Sequence, residues 1–308
     1  MDKIAVVGGA GRVGESAALY LMQQRLCREV VVIDIAEGPA KGAALDIAET
    51  APVFGSDTRL WGSSDYADLN GADLIIVTAG LPRKPGMSRS DLLDKNIAIM
   101  DGIADAAVQH APDAMMIVVA NPVDVMTYRA WQRTGWSRNR VFGQAGVLDS
   151  SRMACFIAEA TGKSLGDIDA MVLGGHGDQM VPMMRYTTVN GVPVENFLDK
   201  KKIDEIIERT RKGGAEVLEL RENSSAYLAP GASTVEMVDS VVHDRGRMLP
   251  CVAILDGEYG HSDCAMGVPS ILTRNGLEQI VELDLEDDER DGFEASLAAV
   301  RADLERLK

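Results

Sequence analysis

The chain has 308 residues, enough to bury a large core in one large or two ordinary domains. It is 46% hydrophobic and 25% charged with a mean hydropathy near zero, and no apolar run approaches the roughly 18 residues a membrane span needs. A formal net charge of −16 argues against nucleic acid as a partner, and an anionic small molecule would have to be captured by local cations.

The N-terminus, MDKIAVVGGAG, lacks the layout of a signal peptide because its apolar run is short and ends in a glycine loop, so a cytoplasmic protein is expected. Continuous Val- and Ile-rich runs occupy 3–8, 29–35, 72–80, 114–122 and 140–145. Such runs suit parallel strands buried on both faces. Helical periodicity fills 13–26, 39–50, 90–110 and 123–134. The alternation predicts βαβ units and an α/β fold, a doubly wound parallel sheet of Rossmann type over 1–145. After about residue 146 the rhythm changes. Helices are expected over 148–162, 200–222, 233–243 and 287–308, with strands and turns across 169–194 and apolar stretches at 247–257 and 263–283. This is a second, α+β domain over 146–308. Four widely spaced cysteines, Cys27, Cys155, Cys251 and Cys264, form no C-x-x-C pair. They read as free thiols in a reducing compartment rather than as disulfides or metal ligands.

Between the first strand and the first helix lies Gly9-x-Gly11-x-x-Gly14. Gly9 suits the tight turn, Gly11 a close approach of pyrophosphate, and Gly14 close helix–strand packing, with Ala10, Arg12 and Val13 completing the cradle. Asp34 closes the second strand twenty residues after Gly14, where a carboxylate can bond adenosine ribose hydroxyls. No arginine immediately follows it, which favours NAD over NADP.

The stretch GGHGDQMVP sets His176 among glycines after an apolar run, and these would let substrate and cofactor approach the imidazole. His110, His243 and His261 have no such setting and read as structural. A proton-transferring histidine needs a partner to fix its tautomer. Asp149 and Arg152 stand three apart at a helix start, so both can face one cleft. Asp149 could support His176 while Arg152 holds a carboxylate, or the two could form only a local salt bridge. Spacing does not decide between these.

Together these motifs resemble the lactate/malate dehydrogenase family. The resemblance runs through GGAGRVG, Asp34, TAGLPRKPGMSRSDLLDKN, NPVD, GQAGVLDSSR, GGHGDQMVP, RTRKGGAEV, SAYLAPGAS and RMLPC. It looks most like the family's lactate-dehydrogenase-like malate branch. The resemblance implies reversible hydride transfer between malate and NAD, with lactate or another 2-hydroxy acid as the alternative substrate. It implies His176 as proton donor and acceptor, Asp149 as its partner, and Arg152 as anchor of the substrate's first carboxylate. Arg89, in the loop GLPRKPGMSRSDLL, would polarise the reacting carbonyl as the loop closes. Asn121 would bond the substrate beside the nicotinamide, and Val119 and Asn96 would lie along the cofactor. At Arg83 the family's lactate members carry Gln and its malate members Arg, so Arg83 would read the second carboxylate, with Lys84 a solvated loop charge. Ser225 and Ala226 are candidates for the far wall. No metal is implied. The family forms dimers and tetramers, and a homotetramer is expected, with helical faces in 13–26, 39–50 and 210–222 available for packing. Two other classes compete: a metal- and NAD-dependent glycosidase, which would need a cysteine near His176, and a catalytically silent NAD-binding protein.

Overall fold

The computed structural model describes residues 1–81 and 89–307, the first three of the latter by backbone alone. The expected alternation is present. It runs β1 (Lys3–Val7), α1 (Arg12–Gln23), β2 (Glu29–Ile33), α2 (Glu37–Phe54), β3 (Arg59–Ser63), β4 (Leu74–Val77), α3 (Arg89–His110), β5 (Met115–Val118), α4 (Val123–Thr134) and β6 (Val141–Gln144). Strands β1, β2, β4, β5 and β6 are parallel and almost wholly buried, as their Val/Ile runs require. Their register is regular: Ile4 pairs with Val30 on one side and with Leu74 on the other.

The second half begins with α5 (Gly146–Thr161), whose C-terminus closes on left-handed Gly162. Two-residue strands follow: β7 (Ile168–Asp169), β8 (Val172–Leu173), β9 (Val181–Pro182), β10 (Thr188–Val189) and β11 (Val192–Pro193). Then come α6 (Lys200–Arg221), α7 (Leu228–Val242), β12 (Arg247–Asp256), β13 (Ser262–Thr273), β14 (Gly276–Ile280) and α8 (Asp287–Leu304). A second, smaller core of Met153, Ile157, Ile168, Val172, Met180, Val189, Val194 and Ile206 lies beneath α5 and α6.

Among the described residues the main sheet has nine strands in the order β14-β13-β12-β6-β5-β4-β1-β2-β3. Six of these keep the doubly wound order, with its reversal between β1 and β4. The other three come from the second half. Strand β12 pairs antiparallel with β6 at Cys251–Gln144 and Val252–Gly143, so one sheet runs through both halves. Helix α1 packs on α7, where an added Cβ at Gly231 would stand 2.7 Å from Ser16 Cβ. Three of the free cysteines are buried and Cys155 is exposed. Among the described residues no helix is long and apolar enough to cross a membrane.

Candidate active site

The reversal of strand order opens a crevice beyond the ends of β1 and β4. The glycine loop lies there. The left-handed residue is Gly8, at φ +78°, and not Gly9. Gly9 is needed for close approach instead: a Cβ there would meet Val32 Cγ1 and Val6 O at 2.7 Å. Gly14 does pack as expected, since its Cβ would stand 2.6 Å from Gly9 Cα. Gly11 caps α1, and among the described residues its Cβ would meet only Gly8 O within 4 Å, at 3.2 Å, which leaves its other side open. Asp34 follows β2 and accepts the Ala10 N–H at 3.2 Å, so its carboxylate borders the loop. Arg12 lies over the Tyr227 ring, which Arg221 covers as well.

Asn96 is buried, at 3% exposure, and acts as a tie. Its Oδ1 accepts the Leu81 N–H at 2.8 Å and its Nδ2 donates to Asn121 O at 3.0 Å. It therefore joins the two strand ends that carry the 82–88 segment and the Asn121 turn. Val119 is nearly buried and donates its N–H to Val77 O at 2.8 Å. Arg83 lies outside the described residues. Arg89 opens α3 by its backbone, and its side chain lies outside them too.

The decisive geometry belongs to Asp149, whose side chain is 2% exposed in the first turn of α5. Its Oδ2 stands 2.8 Å from His176 Nδ1, and its Oδ1 accepts from Arg152 Nη1 at 3.0 Å. The local salt bridge exists, but it is not all the pair does, because the same carboxylate also holds the imidazole. Bonding Nδ1 turns Nε2 toward the cleft. Burial pulls the His176 pKa down, but the charge and hydrogen bond of Asp149, with help from Asp124, raise it above the ordinary value against the opposing Arg152. His243 and His261 pair elsewhere, with Asp239 and Glu294.

The glycines around His176 play a different part from the one expected. A Cβ at Gly174 would meet Ser296 Oγ at 2.8 Å, and one at Gly175 would meet Val300 Cγ2 at 2.7 Å. They admit α8, not a ligand. Among the described residues only Gly177 of the three has open space.

His176 and Arg152 line one cleft of ≈ 220 Å³. Val13, Val119 and Asn121 come from the crevice side, and Leu148, Arg152 and His176 from the second half, with Ser225 and Ala226 on the wall. A family model described as lactate/malate dehydrogenase, NAD binding domain, matches residues 2–143, and one for the alpha/beta C-terminal domain matches 146–308. The chain belongs to the lactate/malate dehydrogenase family. A relative named malate dehydrogenase, from Thioalkalivibrio sulfidiphilus, is 63% identical over 308 residues, the whole of both chains. The structure of the malate dehydrogenase from Picrophilus torridus superposes with a TM-score of 0.96 at 42% identity, covering 99% of this chain and 96% of that one. The lactate dehydrogenase of Cryptosporidium parvum, solved with lactic acid and NAD, gives 0.95 at 39% identity, covering 99% and 98%.

Within this lactate/malate dehydrogenase frame, three contributions escape inspection of the sequence. Gly213 and Gly214, mid-way along α6, lie against Arg152: a Cβ at Gly213 would stand 3.1 Å from its Cδ. A glycine pair inside a helix costs about 1 kcal/mol per residue relative to alanine, and that unfavourable pair was the available signal. Gln144 ends β6, is 3% exposed and lines the cleft, and its Nε2 has no partner among the described residues. Asp124 is buried behind His176 and accepts its main-chain N–H. The crevice fits a dinucleotide. The loop has an open glycine side at a helix N-terminus, and the Asp34 carboxylate borders it.

Proposed function

We propose that this chain is an NAD-dependent malate dehydrogenase, interconverting malate and oxaloacetate. One observation carries the reading: a single buried carboxylate, Asp149, holds an imidazole and a guanidinium together in a cleft that opens onto the dinucleotide crevice. The names of the relatives, malate dehydrogenases over the full chain, support the substrate. Gly9, Ala10, Gly11, Arg12, Val13, Gly14 and Asp34 would hold the cofactor's phosphates and ribose, with Asn96, Val119 and Asn121 along its nicotinamide half. The first half, 1–145, would bind NAD and the second, 146–308, would supply the acid–base groups.

When bound, NAD supplies the hydride acceptor. His176 Nε2 takes the hydroxyl proton of malate, and Asp149 stabilises the imidazolium that results. Arg152 grips the first carboxylate, its stem seated against Gly213. Arg89 stabilises the charge developing on the substrate oxygen. Arg83 pairs with the second carboxylate, and pyruvate would leave that guanidinium unsatisfied at a cost of about 1–3 kcal/mol.

The test is direct. Purified protein should oxidise NADH rapidly with oxaloacetate, poorly with pyruvate, and poorly with NADPH in place of NADH. Arg83→Gln should shift preference toward pyruvate, whereas Arg152→Gln should damage both activities. A pyruvate preference in the unaltered protein would establish a second reading, a lactate or other 2-hydroxy-acid dehydrogenase, which the likeness to the Cryptosporidium enzyme keeps in view. The protein would act in the cytoplasm. As a homotetramer it would cover apolar residues exposed on α2 and around α6, among them Leu45, Val53, Leu218 and Leu220. The α1 face is already packed on α7. Sedimentation equilibrium checks the assembly.

A further inference from the structure

Three successive main-chain N–H groups hold the loop that carries His176. Gly174 donates to Gly267 O at 2.9 Å, Gly175 to Ser296 Oγ at 2.9 Å, and His176 to Asp124 Oδ2 at 3.0 Å. The acceptors come from three separate elements, β13, α8 and α4. Of the three, only Asp124 is ionisable. It is 6% exposed, and among the described residues its Oδ1 has no partner at all. Burying a carboxylate with half its acceptors unused is costly. A neutral oxygen, such as the serine hydroxyl that serves Gly175, can accept one N–H without that cost. The first turn of α4 and the residue's own main-chain N–H ease the charge, so what distinguishes Asp124 is its bond across to the His176 main chain.

We propose that Asp124 is a positioning residue for proton transfer: its oxygen fixes His176 through the main chain as Asp149 fixes it through the ring, and its charge sets the pH range in which the imidazole works. The proposal rests on His176 being the proton-transfer group. Asp124 does not line the cleft, so it acts only through the histidine. Among the described residues the charged groups acting on His176 are Asp149 and Arg152 from α5 and Asp124 from α4. Those acting on Asp124 are His176 and Asp149. From α8 and β13 the loop meets Ser296, Val300 and Gly267, none of which is charged. Burial, aided by the charge of Asp149, pushes the Asp124 carboxyl up to about 6, against the opposing N–H and charge of His176. Asp124 and His176 thus titrate as neighbours, and each charged form favours the other.

The experiment compares Asp124→Ala, Asp124→Asn and His176→Asn for kcat, KM, NADH affinity and the pH profile of malate oxidation. Asp124→Ala should lower kcat by about 10–100-fold through misplacement of the imidazole, with NADH affinity changed by less than about twofold. Asp124→Asn keeps an oxygen for the N–H and should recover most of that kcat. With the negative charge gone, its imidazolium is less favoured, so the acidic limb should move down by about half a pH unit or more. Unchanged kcat in the alanine variant, or an unmoved limb in the asparagine variant, would overturn the proposal. Should the variants fail to fold, the unaltered protein still decides: the carboxyl ¹³C resonance of Asp124 should titrate well above the ordinary aspartate range, and an ordinary titration overturns the coupling. Activity surviving in His176→Asn would instead overturn the reading of the histidine itself.

Discussion

Asp149 gives each of its oxygens to a different cationic partner, and that division sets the pH behaviour of the site. Malate oxidation needs neutral His176, whose pKa is raised, so its acidic limb should lie above about 6.5. Oxaloacetate reduction needs the imidazolium and should fall through the same range. Asp149→Asn should lower kcat by on the order of 10²–10⁴ and move the limb to lower pH, measured in initial-rate profiles. A limb that stays in place would mean that Asp149 does not hold the imidazole's charge. Stability has its own sign. A histidine with a raised pKa contributes stability that is present below about 6.5 and lost as pH rises through the folded value. Asp124 is also raised, which is the less common direction for a carboxylate. Its fold binds a proton that the unfolded chain releases, so stability falls as pH rises from about 4 to 6. Asp124→Asn removes that loss and should gain about 1–3 kcal/mol on the unaltered protein between pH ~4 and ~7 in denaturant titrations. Equal slopes would refute the buried charge. Asp34 was suggested by its spacing from the glycine loop and His176 by its glycine flanks, whereas Asp149 and Arg152 took their roles from the family resemblance, because their spacing suits a local salt bridge equally well. Asp124 was not legible, because it looks like any acid in a helix's first turn, and its partner is a main-chain N–H 52 residues away.

At the scale of elements, α6 shows how a helix can yield stability to place a side chain of its neighbour. Gly213 is buried, and the space its missing Cβ leaves is taken by the Arg152 stem. Gly213→Ala would gain up to about 1 kcal/mol of helix propensity. Its Cβ, 3.1 Å from Arg152 Cδ, would also push the guanidinium off its seat. We expect KM for oxaloacetate to rise about tenfold while the melting temperature holds or increases. An unchanged KM would show that Arg152 can shift without consequence. The same logic explains which elements the sequence hid. Strand β3, RLWGS, has no apolar run and stands at the sheet edge with most residues partly exposed. Its one clue is Gly62, where a Cβ would stand 2.2 Å from the Ala40 backbone, so α2 can rest directly on the strand. Helix α7 begins five residues earlier than periodicity suggested, at Leu228, because Pro230 falls in its first turn, where no N–H is required of it. Apolar period found the buried strands and the amphipathic helices; positions set by contact between distant backbones had no local signature.

At the scale of the whole molecule, the two halves matched by separate family models share one sheet. The composition change near residue 146 marks where the chain stops alternating strand and helix, but it does not mark where hydrogen bonding stops. Without the second half, β6 would present the main chain of Gly143 and Gln144 as an open edge beside buried Val141 and Phe142. Helix α1 would lose α7 from its Ser16–Ala17 face, and Asp124 would lose the N–H of His176. An unpaired apolar edge strand is a template for aggregation, and an uncovered helix face adds to it. A fragment of residues 1–145 carries every proposed cofactor contact, yet it should not fold into a monomeric NADH-binding unit. Expressed alone it should aggregate or melt without a cooperative transition, while the full chain melts in one transition with both halves reporting together. Differential scanning calorimetry with NADH fluorescence on fragment and full chain checks this. A soluble, cooperatively melting 1–145 that binds NADH would show that the shared sheet is an attachment between two independent domains. Failure of the fragment would show instead that the dinucleotide crevice owes its shape to strands and helices that follow it in the chain, so that cofactor and acid–base groups are held by one continuous scaffold.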